Sequence, residues 1–534
     1  MTKGIRVKKI IAQRIAARKR RLARRLDKDN FPDDLSQPML GGGKLHYELA
    51  GRAVGTAYGG IGLVQQLIGQ LGLAEAIDER VHLLKVHLPY HESDHVLNLA
   101  YNALCAGTCL EDLELRRQDE AYLNLLGAER IPDPTTAGDF CRRFAREHLT
   151  ALQAAYDVAR LKVWRQQPAA FFAVAHIEAD GTLVETDAEC KAGIDYSYQG
   201  VWGYHPLVLT LANTGEVLRL INRSGNRPSH EGAAAQFDES ITLCRAAGFR
   251  KIVLRGDTDF SQTTELDRWH EQGDVEFVFG LDLTLGHHVE ADFLPPEVWK
   301  PLNRPPKYEL QTQARARPER VKQQIVEARQ FKDIRLVDEE VAEMPYRPVA
   351  CRHTYRLVIV RKNLVVSDPQ QNRLFDDYRY FLYLTNDWES AAEAIVYSAN
   401  DRCQQENLIA QLTALRALHA PVDNLLSNEA YMLMTALGWN LKAWLALWLP
   451  EKTPPKHSRQ PSSPQRKRPA PKSQPSEKRR LLGMEFRTFV NYFLRVPAQV
   501  VRSGRQTIVR LLAYNTWQPV FFRLAETLAR PRRC

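Results

Sequence analysis

The 534-residue chain lacks any CxxC pair, and none of its eight cysteines sits in a finger-like Cys/His array. That argues against zinc fingers and redox dithiols and leaves scattered reduced thiols, as in a cytosolic protein. No uninterrupted apolar run is long enough to span a bilayer, so no membrane partner is expected. The first residues, MTKGIRVKKIIAQRIAARKRRLARR, are basic but have neither an apolar core nor a small-residue cleavage site, so they do not read as a secretory signal. Acidic side chains are scarce at both ends. Residues 1–28 carry 12 basic and 1 acidic side chain, residues 451–480 carry 10 and 2, and residues 481–534 carry 9 and 2.

Those three segments are therefore +11, +8 and +7 in a chain of net charge +10, which leaves −16 for residues 29–450. Basic ends around an acidic body suit a polyanion held by arms, because each Lys or Arg on a phosphate releases counterions. Solvated tails that aid solubility are the alternative. A mass of 61.0 kDa predicts several domains, and 44% hydrophobic with 25% charged residues is the composition of a globular protein.

Periodicity divides the chain. Residues 1–44 form a basic arm whose first 28 residues read as a helix with Ile11, Ile15, Leu22 and Leu26 on one stripe. Residues 45–168 read as helical, and Thr135 to Phe144 after IPDP places Arg142 and Arg143 on a short helix. That pair suits a helix-turn-helix reader of DNA, or equally the solvent face of an ordinary bundle. From 169 to 285 the texture is three strand-like runs, then helix, strand, helix, strand, which predicts an α/β fold with a mixed sheet flanked by helices. Residues 286–375 interrupt it with Pro-rich, charged and strand-like sequence, and 376–449 resume it. Residues 450–480 are a Pro/Ser/Lys linker and 481–534 an Arg-rich end.

Three carboxylates stand out by position. Asp180 ends HIEAD, where His176 and Glu178 share its strand face; Asp257 ends the apolar run KIVL in LRGDTDF; Glu406 lies on a helix with Arg402, Ile409, Thr413 and Arg416 on one face. Glu178 and Asp187 rival Asp180, and Asp259 rivals Asp257. LRGD also reads as a simple turn. Two strand-end carboxylates and one from a helix would make a hard-oxygen site of the kind Mg²⁺ occupies. Unoccupied, such carboxylates repel and at least one pKa rises.

The pieces DPTTAGDFCRRF, IEADGT, YQGVWGYHPL, LRGDTDF and DRCQQENLIAQL followed by TALRAL together resemble the DDE transposases of bacterial insertion sequences, specifically the insertion sequence 1380 family, over residues 45 to 445. The resemblance implies a ribonuclease-H-like catalytic fold with a helical N-terminal DNA-binding region and Asp180, Asp257 and Glu406 as catalytic metal ligands. Residues 286–375 become a β-rich insertion before the last of them. It implies two Mg²⁺ ions, with Mn²⁺ able to substitute, and double-stranded DNA (terminal inverted repeats and target) as partner. A homodimer on DNA and a cytoplasmic, nucleoid-associated location in a bacterium complete the expectation. Gly256 would keep the bend tight, Arg255 would stand near phosphate, and Arg402 and Arg416 would steady phosphates. Ala399 stands where the family has Tyr, which related families also lack; Thr413 stands where it has Lys, and that departure makes a weakened, DNA-binding relic the competing reading. A ribonuclease-H-like repair or junction nuclease would share the metal chemistry without the insertion.

Overall fold

A computed structural model describes residues 2–27, 54–87, 89–304, 333–367, 378–450, 476–503 and 506–530. Most of the linker expected at 450–480 lies outside the described residues, as does much of the charged stretch expected within 286–375.

Runs rich in Val, Ile, Leu and Phe supply most of the strands. They are β1 (Ala175–Gly181), β2 (Leu207–Leu211), β3 (Glu216–Ile221), β4 (Ile252–Gly256) and β5 (Val275–Leu281), followed by β6 (Lys300–Pro301), β7 (Asp333–Tyr346), β8 (Tyr355–Ser367) and β9 (Tyr378–Thr385). One nine-stranded sheet holds them all in the order β6-β7-β8-β9-β5-β4-β1-β2-β3. β1, β4 and β5 are parallel neighbours, whereas β2 pairs antiparallel with β1 and β9 antiparallel with β5. The strands expected in the 286–375 insertion extend this same sheet past β5. Long apolar strands need a partner edge, and β5 supplies one through β9.

The helices used below are α1 (Thr2–Leu26), α2 (Glu92–Leu104), α3 (Arg146–Trp164), α4 (Ala233–Ala247), α5 (Thr263–His270), α6 (Ala392–Asp401), α7 (Cys403–Ala414) and α8 (Leu425–Trp448). Strand alternation divides the core into two layers. Phe279 of β5 meets Phe237 of α4 and Trp269 of α5 on one face. On the other face Val253 and Val278 join Ile395 and Val396 of α6. Burying each such side chain contributes about 1.5–3 kcal/mol. α8 is apolar nearly all round and is buried between α2, α3 and β3. A wholly buried Glu216 pins that junction: it accepts from Trp164 Nε1 at 2.8 Å, Trp444 Nε1 at 2.7 Å and Arg160 Nε at 3.1 Å.

α1 forms as expected, but Leu22 and Leu26 of its stripe are exposed. It lies along the C-terminal segment, where Arg18 Nη1 donates to Ala513 O at 3.0 Å and Lys8 pairs with Glu526 at 3.1 Å. The expected short helix runs only from Pro134 to Cys141, capped by Asp133 accepting from Thr136 N. Arg142 and Arg143 fall beyond its end, which corrects their placement on a helical reading face. Arg142 is held by Asp139 at 2.8 Å and Asp423 at 3.1 Å, while Arg143 is exposed. Among the described residues no helix is long and apolar enough to cross a membrane.

Candidate active site

Parallel β1 and β4 pair with Glu178 opposite Arg255, so two residues further on Asp180 and Asp257 stand side by side at the strands' C-terminal ends. In open α/β sheets that end is where binding crevices form. Strand β1 must stop cleanly there: a Cβ on Gly181 would lie 2.6 Å from His205 Nε2. Gly256 is equally constrained, since a Cβ would meet that of Phe260 at 2.5 Å. Gly256 itself is still a strand residue, paired with Phe279, and the turn follows it at Asp257; what Gly256 permits is the close approach of Phe260.

LRGDTDF proves to be a turn and a site at once. Asp257 Oδ1 accepts from Asp259 N at 3.1 Å and caps the short helical turn Thr258–Phe260. The turn-forming carboxylate is Asp257 rather than Asp259, and the same side chain faces the crevice.

The third carboxylate comes from a helix packed on β1 and β2. α6 and α7 are separated by a single break at Arg402, where one continuous helical stretch could have been expected. Arg402 reaches Asp180 Oδ2 at 3.6 Å and Glu406 Oε1 at 3.7 Å. Its guanidinium, rather than an unbroken carboxylate cluster, occupies the centre. Glu406 is 58% exposed, against 16% for Asp180.

Electrostatics follow from this geometry. Burial pushes the Asp180 carboxyl up to about 7, with Arg402 opposing the rise and Asp257 and Glu406 adding to it. Burial also raises Asp257, again opposed by Arg402. Strongly raised carboxyls in a cleft mark a site built for a cation or a proton. Beside Asp257 and Arg402 opens a cavity of about 300 Å³, also lined by Asp282, Tyr380, Tyr383 and Asn400.

The remaining candidates separate from this centre. Arg255 is buried, pairs with Glu178 at 2.6 Å and donates to Ser398 O at 2.9 Å, so it is engaged inside the protein rather than offered to a phosphate. Arg416 lies beyond the end of α7 in the left-handed conformation, φ 62°, and is exposed, so it does not continue the Arg402–Glu406 helical face. Thr413 turns its hydroxyl back to Ile409 O at 3.0 Å. Glu178, one of the rivals to Asp180, lies one layer deeper. Gln405 was not anticipated: it is buried and donates to the carbonyls of Glu178 at 3.2 Å and Val208 at 3.1 Å. Its position next to Glu406 on a helix half-turned into the core was the available signal.

No curated protein matches the chain. Among solved structures, a piggyBac transposase in a synaptic complex with hairpin DNA is similar at a TM-score of 0.31 and 11% identity, covering 75% of this chain and 82% of that one. The family model described as Transposase DDE domain group 1 matches residues 37–460, most of the chain, and the chain belongs to that transposase family.

Proposed function

We infer that the chain is a DNA transposase that binds the terminal inverted repeats of its own element, cleaves their ends by metal-dependent phosphodiester hydrolysis and joins them to target DNA. The observation that carries this reading is the convergence of Asp180, Asp257 and Glu406 on Arg402 at the C-terminal mouth of β1 and β4. The strand order β3-β2-β1-β4-β5, with the antiparallel pair at one edge, supports a ribonuclease-H-like core within the larger sheet. The N-terminal helices and the basic ends hold DNA in this reading, two copies bring two ends together, and a hairpin intermediate at the transposon end is allowed. The insertion sequence 1380 family, a bacterial cytoplasm and the domain limits of the sequence reading belong to the same proposal.

The donor set fits divalent ions of the Mg²⁺ or Mn²⁺ class, because all three groups are carboxylates and two have raised pKa values that a bound cation would reverse. Among the described residues no three ligands are yet drawn close enough to hold an ion, since Arg402 stands between Asp180 and Glu406. Asp180 and Asp257 would supply the fixed ligands, and Glu406 would turn from Arg402 to complete the set. Two such ions, when bound, activate a water or 3′-hydroxyl and stabilise the leaving oxygen. Arg402, released from Glu406, keeps its charge at the crevice and offers its fork to a phosphate oxygen.

The competing reading, a DNA-binding relic, draws on the exposure of Glu406 and on Thr413. Cleavage of a labelled duplex carrying the element's ends, with Mg²⁺, separates them. Wild type is expected to cut at the ends while Glu406→Ala binds the same duplex without cutting. Equal binding with no cutting by either protein would leave the relic.

A further inference from the structure

Directly beneath the carboxylate pair lies a second charged layer that the cleavage scheme does not use. Glu178 and Arg255 each precede a site carboxylate by two residues on its own strand, and the β1–β4 register sets them opposite one another. Their side chains are 2% and 6% exposed and meet at 2.6 Å. Two long charged side chains are rarely buried so deeply without a specific reason, because desolvation costs several kcal/mol per ion.

The contacts around Glu178 run in two directions. Through its carboxylate it holds Arg255, whose Nη1 donates to Ser398 O in the last turn of α6. Through its backbone carbonyl it accepts from Gln405 Nε2 in the first turn of α7. Gln405 also donates to Val208 O of β2, so α7 is tied to two strands at once. The two helices flanking Arg402 are thus both anchored on one strand residue. A guanidinium near a helix C-terminus is well placed for its last carbonyls, and its planar fork can serve Glu178 and Ser398 together.

We propose that Glu178, Arg255 and Gln405 form a positioning brace that fixes the Arg402 break, and hence the Glu406 helix, against the Asp180–Asp257 strand ends. None of the three touches a substrate. They act through the ligands: Arg255 keeps α6 at a set height above β4, and Gln405 keeps the first turn of α7 over β1. Supporting groups of this kind set ligand geometry, and their loss commonly costs about 10–100-fold in metal affinity or activity. The brace is a deepening of the transposase reading and rests on it for its metal and DNA.

The test uses the full chain as wild type, Arg255→Lys and Gln405→Leu. Mn²⁺ binding is followed by electron paramagnetic resonance without DNA, end-duplex binding by gel shift and cleavage under single-turnover conditions. Arg255→Lys keeps the charge but loses the fork. It is expected to bind the duplex within about two-fold of wild type, while Mn²⁺ affinity and cleavage each fall about 10–100-fold. Gln405→Leu leaves the ion pair intact and is expected to show the same split; it carries the test if Arg255→Lys fails to fold. Wild-type Mn²⁺ affinity and cleavage in a folded variant would overturn the brace. Duplex binding that falls in step with cleavage would overturn it too, because that signals general damage. A wild type that binds Mn²⁺ but cuts nothing removes the transposase reading alone, since Mn²⁺ affinity still reports on the brace.

Discussion

The same two strands carry two charged layers, two residues apart, that obey opposite rules. In the deeper layer Glu178 faces Arg255, so each buried charge has a counter-charge within 2.6 Å. In the outer layer Asp180 stands beside Asp257, so like charges are neighbours and only Arg402, 3.6 Å from Asp180, offsets them. Both layers are largely shielded from water. Burial raises the carboxyl in each layer; what differs is the neighbour across the strands, since Arg255 opposes that rise at Glu178 whereas Asp257 adds to it at Asp180.

The largest effect is expected where the outer layer is neutralised. Asp180→Asn or Asp257→Asn removes a fixed ligand and should lower end cleavage by about 10³-fold or more, as expected for an interaction worth several kcal/mol. Stability should move the other way. In the fold Asp180 holds its proton up to about 7, whereas the unfolded chain releases it near 3.8. The unfolded state therefore binds fewer protons between those values, and the metal-free fold loses stability as pH rises across that window. Asp180→Asn should melt higher than wild type at neutral pH without metal and at nearly the same temperature at the acid end of the window. Calorimetry at both pH values checks it.

Breaking the oppositely charged layer should lower stability instead. Glu178→Ala leaves Arg255 buried without its counter-charge and is expected to cost about 3–5 kcal/mol, read as a shift in the urea midpoint. A third change sharpens the comparison at their shared guanidinium. Arg402 is the group that holds the Asp180 and Asp257 carboxyls down against burial. In Arg402→Gln the Asp180 carboxyl should titrate above about 7, seen in the pH dependence of its carboxyl carbon resonance; an unchanged midpoint would remove Arg402 from the electrostatics of the site. The smallest effect belongs to the surface. Arg142 pairs with Asp139 and Asp423 in the open, so Arg142→Ala should cost less than about 1 kcal/mol by denaturant titration.

Much of this comparison was legible beforehand. HIEAD and KIVLRGD show an apolar run ending in a carboxylate, and each has a charged residue two positions earlier on the same face. Opposite signs at 178 and 255 were readable as letters, but their pairing was not. Arg255 read as a phosphate ligand because nothing local shows that its neighbour across the sheet is Glu178, 77 residues away in sequence. The Arg142–Arg143 helix failed for a similar reason. Pro134 and Asp133 announce a helix start, while its end at Cys141 precedes a packing contact with Asp423. The insertion was readable as strands, yet not as an extension of the central sheet, because strand pairing depends on which edge is free.

By itself the sequence determined the local periods: a helical segment over 428–448, β1 and β4 as strands, the basic ends and the candidate carboxylates Asp180, Asp257 and Glu406. Those follow from side-chain spacing within a few residues, where geometry is fixed by the backbone. Tertiary structure alone decided that Arg402 stands among the three carboxylates, that Asp257 caps its own turn, and that Glu178 anchors both α6 and α7. These depend on register between segments far apart in the chain, and register is selected by the packing of the whole sheet rather than by any one strand.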